Sequence, residues 1–132
     1  MLHLHYHLLN SSRLITSYDI GSCFDELELN KSVCDKHGVN IAGVIINKVI
    51  PEKASMIRSY MSRTLAKYWD DVPLLGCIPD KPSLGRTTKL NLADTSTVIS
   101  AVAHYEKYID FDRLLERTRT TKTIKSNKQK LA

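Results

Sequence analysis

From Val39 to Ile46 the chain is apolar almost without a break, and an Asn47-Lys48 pair then interrupts the run. A stretch of Ile and Val with no polar alternation predicts a strand covered on both faces, as in parallel sheets flanked by helices. The expected strand spans 41–46, with Asn47 at its end. A second short apolar run, Leu74-Leu75-Gly76-Cys77-Ile78, is stopped by Pro79 and predicts a second buried strand. Between the two, Pro51 sits where a first-turn proline would. Ile57, Tyr60, Met61, Leu65 and Tyr68 recur at three- and four-residue spacing, which predicts an amphipathic helix lying on the sheet. Strand, helix, strand in that order is a βαβ unit.

The flanks carry the same kind of signal. Asp19 to Leu27 reads as a loop delivering a helix, with Ser22 placed to cap it and Asp25 three residues on to complete a capping box. Phe24, Leu27 and Cys34 fall near one helical face and Leu29 and Val33 near another, so this helix is expected to pack on two sides. Gly38 is a plausible left-handed stop, and a further strand is expected near 14–17. Beyond the second strand, Gly85-Arg86-Thr87-Thr88 reads as a loop. Val98, Val102, Tyr105 and Ile109 then predict a helix over 96–109, and Asp110 is placed to cap a short helix over 111–117.

Composition adds little except in one place. The chain has 132 residues, 42% of them hydrophobic, which suits one modest domain, and no apolar run is long enough to cross a membrane. The opening lacks the basic leader and cleavage site of a signal peptide, so a cytoplasmic location is expected. The formal charge of +5 is concentrated at the end: seven basic residues against Glu116 alone from Arg113 onward, while the rest is close to neutral. The body therefore offers no case for a nucleic-acid-binding surface, and the tail has no aromatic residue to stack on bases. Cys23, Cys34 and Cys77 are odd in number and scattered, which argues against disulfides and against zinc.

The candidate chemistry centres on Asn47. Its planar amide carries a donor and an acceptor, the geometry that reads the N6/N7 edge of adenine. Ile50 stands where a carboxylate two residues beyond the Lys would favour guanine, so adenine is the expected base. The plainer reading of the same residue is a polar stop that hydrogen-bonds its own loop. His3, His5 and His7 alternate, so on a strand they would share a face able to hold zinc or nickel; the plainer reading is an atypical start to the chain. His37 and His104 have no carboxylate at diagnostic spacing and read as surface or helix-end residues.

Four colinear blocks carry a family resemblance: Ile20-Gly21-Ser22 with Phe24-Asp25-Glu26-Leu27 and Leu29-Asn30-Lys31; Lys36-His37-Gly38-Val39 running into Gly43 to Val49; Pro73-Leu74-Leu75-Gly76-Cys77-Ile78-Pro79; and Tyr108-Ile109-Asp110-Phe111-Asp112 with Leu114-Leu115. From about residue 14 to residue 115 the chain resembles the second half of the dethiobiotin synthetase-like P-loop ATPases. That group includes dethiobiotin synthetase, cobyrinic acid a,c-diamide synthase and the N-terminal domain of some phosphotransacetylases. The resemblance implies that Asn47 faces the adenine, that Ile78, Pro79 and Asp80 pass the other side of the base, and that Gly21 and Ser22 form a substrate-side loop at a helix head.

The departure from the family is equally definite. No Gly-x-x-x-x-Gly-Lys-[Ser/Thr] occurs anywhere in the chain, so the positioning and charge neutralisation that speed phosphoryl transfer are not encoded here. The resemblance thus implies an α/β fold: a partial P-loop NTPase-type (Rossmann-like) parallel sheet flanked by helices, lacking the N-terminal phosphate-loop half. The expected organisation is an atypical segment over 1–13, the ATPase-like half over 14–117 and a basic tail over 118–132. The family is ATP-dependent and ligase-like. This chain is expected to bind ATP weakly or only with a partner, to use Mg2+ only if that partner supplies the phosphate loop, and to be inactive alone. The alternative is a non-enzymatic scaffold docking on a separate phosphate-loop subunit. A strand near 14–17 without its original neighbour would also invite pairing between copies, and hence a homodimer.

Overall fold

Strand β3, Asn40–Val49, lies inside a four-stranded sheet of order β1-β2-β3-β4. The computed structural model describes residues 3–5, 11–17, 20–84 and 93–118, with side chains from Cys23 onward. Strand β2, Ser11–Ser17, and β4, Leu74–Pro79, run parallel to β3 on either side, and β1, His3–His5, adds antiparallel to β2. Helix α1 is Ile20–Lys36, α2 is Ala54–Tyr68, α3 is Thr95–Tyr108, and a last helix, α4, spans 111–118. The result is a small α/β fold with a parallel sheet packed against helices.

The apolar run of β3 does bury both faces. Val44 and Ile46 join Cys23, Leu27 and Cys34 of α1 and Ile57, Met61 and Leu65 of α2 in the main core. Ile45, pointing the other way, packs with Leu75, Ile78 and Leu114 of α4, and with Tyr108 and Ile109. Coverage is unequal: α1 and α2 seal one face, whereas α3 contributes no fully buried side chain to the other. Trp69, buried just past α2, donates its indole N–H to Glu28 of α1 and closes the larger core at one end.

Several local expectations are corrected. Helix α1 starts at Ile20, so Ser22 lies within its first turn instead of capping it, and Gly21 and Ser22 are not a loop. Leu29 and Val33 are exposed, at 70% and 44%, so α1 packs on one side only. Tyr60 and Tyr68 of α2 are likewise exposed, leaving Ile57, Met61 and Leu65 as its buried stripe. The expected boundary at 13/14 falls inside β2, and β1 pairs with that strand from Arg13 to Ile15.

Other expectations match. Gly38 takes φ +65 as the left-handed stop. Asp110 caps α4 through the Arg113 N–H, 3.0 Å from its carboxylate. Helix α3 begins one residue earlier than its periodicity suggested, because Asp94 caps it by accepting from the backbone N–H groups of Ser96 and Thr97. The Gly85 to Thr88 loop, His7 and the tail beyond Thr118 lie outside the described residues.

Candidate functional site

The carboxyl ends of β3 and β4 lie at the same edge of the sheet, and α1 begins there after β2. This is the edge at which open α/β sheets bind ligands. Strand β3 does not stop at Asn47, as its sequence suggests, but continues to Val49. Ile46 pairs with Cys77 and Val49 with Pro79, so three residues of β3 advance while β4 advances two. The Asn47-Lys48 pair is thus a β-bulge, with Lys48 in the left-handed region at φ +57. Val49 is thereby returned to the same core as Val44 and Ile46.

The bulge presents Asn47 half-buried at the edge while Lys48 is exposed. Asn47 Oδ1 accepts from the Lys48 backbone N–H at 2.9 Å, the local bond foreseen by the plainer reading of this residue. That bond occupies one lone pair and leaves the amide N–H2 directed elsewhere. Across from it, the Asp80 N–H donates to the Val49 carbonyl at 2.7 Å and holds the segment after β4 against the bulge. Asn47, Ile78, Pro79 and Asp80 together line one cleft. The four residues singled out for a base are therefore brought together.

Sequence reasoning missed the opposite wall. His104 and Tyr105 of α3 complete the cleft, together with Lys81 and Leu84. His104 Nε2 is hydrogen-bonded to the Pro79 carbonyl at 2.8 Å, and Lys81 Nζ donates to Ser100 Oγ at 3.1 Å. His104 also stands edge-on to Tyr108, with centroids 5.2 Å apart. Only the return of α3 across the end of β4 reveals these contacts, and no local spacing around His104 signals it. With α3 in place the cleft is narrow, its open volume of about 30 Å3 lying well below the roughly 300–1,000 Å3 of ordinary ligand pockets.

Gly21 and Ser22 are on the same sheet edge. Ser17, three residues before α1, is the register partner of Asn47, and the first turn of α1 carries backbone N–H groups without helical acceptors. Among the described residues no group of three or more His, Cys, Asp or Glu is arranged to hold a metal. No family model matches the chain, and neither does any curated protein or solved structure.

A larger opening, about 530 Å3, lies along α3 itself. Val98, Val102, Tyr105, Ile109 and Phe111 line it, so the apolar stripe that predicts α3 faces an open groove. Among the described residues no helix is long and apolar enough to cross a membrane.

Proposed function

We propose that the chain is the adenine-nucleotide-binding part of a dethiobiotin synthetase-like ATPase, catalytically incomplete without a phosphate loop supplied by another polypeptide or segment. On this reading the sheet is the second half of a P-loop NTPase-type domain. Asn47 reads the base edge, Ile78, Pro79 and Asp80 flank the ring, and Gly21 and Ser22 lie toward the substrate. The observation that carries the reading is the convergence of Asn47 with Ile78, Pro79 and Asp80 at the carboxyl edge of two parallel strands. ATP is the ligand, bound weakly or with a partner's help, and Mg2+ enters only with the phosphate loop.

A thermal melt with millimolar ATP or GTP tests this. A ligand that binds only the folded chain raises the melting temperature. ATP should raise it, GTP should not, and Asn47→Ala should abolish the ATP effect while keeping a cooperative melt. Equal response to both nucleotides, or an ATP shift undiminished in Asn47→Ala, would refute the assignment of Asn47.

The exposed apolar side chains Ile99, Val102, Phe111 and Leu115 favour the second reading, a scaffold that docks on a separate phosphate-loop subunit. A melt indifferent to nucleotides, joined to co-purification of such a subunit lost on Val102→Asp, would select it.

A further inference from the structure

We infer that α3 is a hinged wall of the Asn47 cleft, latched shut by the His104–Pro79 and Lys81–Ser100 hydrogen bonds. The inference deepens the nucleotide reading and rests on it, because it says how a cleft with an open volume of only about 30 Å3 could admit a base.

Three observations carry it. First, α3 has a pinned end: Ile109 forms an antiparallel bridge with Gly76, and the Asp110 N–H donates to the Leu75 carbonyl at 2.8 Å. Gly76 permits this close approach, since a Cβ there would lie 3.1 Å from both Ile109 Cγ1 and the Tyr108 carbonyl oxygen. Second, α3 is only partly buried, its packing on the second core coming from Tyr108 at its end. None of its side chains is fully buried, and its apolar stripe lines an open groove. Third, the bonds to Pro79 at the end of β4 and to Lys81 just beyond it come from residues four apart on one side of the helix, His104 and Ser100. A helix pinned at Ile109 and Asp110, with no fully buried side chain and with exchangeable polar bonds to Pro79 and Lys81, can swing without disrupting the main core.

The consequence is that the closed state subtracts from affinity. A ligand that needs the open cleft binds with an apparent dissociation constant raised in inverse proportion to the open population. Ser100→Ala removes one latch bond without touching Asn47, Pro79 or Asp80, so it should favour opening.

Hydrogen exchange on the ligand-free chain tests the latch without reference to nucleotide. In Ser100→Ala and in His104→Ala, amides of α3 should exchange about five- to tenfold faster, the loss expected for one hydrogen bond. Amides of α2 and β3 should be unchanged. Protection of α3 equal to that of α2 in all three proteins, or acceleration spread evenly over every element, would overturn the proposal. ATP binding, measured by calorimetry, should tighten a few-fold in Ser100→Ala; weaker binding there would also overturn it. If no nucleotide binds to any of the proteins while α3 is selectively released, the latch stands and the nucleotide reading falls.

Discussion

Arg117 Nε donates to the Ala42 carbonyl at 3.1 Å while its Nη1 lies 2.8 Å from the Asp71 carboxylate. Between Asn40 and Asn47, Ala42 is the residue of β3 with no register partner in β2, since Ile41 pairs with Ser12 and Gly43 with Arg13. A carbonyl that leaves the ladder inside a buried strand needs another donor, and Arg117, at the end of α4, supplies it. The positive charge near the end of the chain is therefore not all tail: Arg117 is part of the fold.

Asp71 and Arg117 should respond unequally to mutation. Asp71 is 89% exposed, so Asp71→Ala should cost about 0.5 kcal/mol or less, as exposed ion pairs do. Arg117→Ala leaves the Ala42 carbonyl short of a donor and should cost about 1–2 kcal/mol. Urea denaturation of both variants gives the comparison, and equal losses would contradict the role assigned to Ala42.

Gly43 has no room for a side chain. A Cβ there would overlap the Leu75 side chain and come within 3.0 Å of the Pro73 carbonyl oxygen. Gly43→Ala should destabilise the chain by about 1–3 kcal/mol through forced repacking. Combining it with Leu75→Ala should cost less than the two changes add up to, which a double-mutant cycle measures.

Acid should loosen α3. The hydroxyl of Thr97, and after it that of Ser96, donates to the Asp94 carboxylate and holds its pKa below the ordinary carboxylate value of 3.8. A depressed folded pKa means that the stabilisation is present above 3.8 and is lost as pH falls through the lower folded value. Exchange protection at the start of α3 should fall in that window. In Asp94→Asn, which still caps but does not titrate, the contribution of this group to the fall should disappear.

The thiols should be inert in the folded chain. Burial pushes Cys34 up from the ordinary 9.0, with Asp35 adding to the shift and Lys31 opposing it; burial likewise raises Cys77, against Arg58. A raised thiol pKa preserves full stability below pH 9.0 and removes it as pH rises through the higher folded value. A thiol reagent at neutral pH should therefore label Cys34 and Cys77 no faster than the chain unfolds. Rapid labelling of either in the folded protein would contradict its burial.

Much of the architecture is legible because it depends on local pattern. The apolar run of β3, the stripe Ile57, Met61, Leu65 and the stop at Gly38 each follow from short-range sterics and period. What escapes is set at a distance. Leu29 and Val33 carry the spacing of a buried face, but both are exposed. Asn47-Lys48 looks like a strand end because two polar residues follow six apolar ones, whereas pairing with Pro79 carries the strand onward to Val49. Asn47 of the cleft can be chosen from the sequence, since it interrupts an apolar run; Ile78, Pro79 and Asp80 are singled out only through the family resemblance. His104 cannot be chosen by either route, because its role arises only when α3 folds back over β4.

The bulge at Asn47-Lys48 also fixes where β3 can change length. It absorbs one residue more than β4 supplies, and it is this surplus that turns Val49 back toward the core. Deleting Lys48 would restore strict alternation and still leave Val44, Ile46 and Val49 facing the same way. Inserting one residue between Val44 and Ile46 would turn one of these two side chains toward Leu114. The strand can therefore lose a residue at its functional edge but cannot gain one in its middle, so length variation that the core would reject elsewhere is admissible beside Asn47.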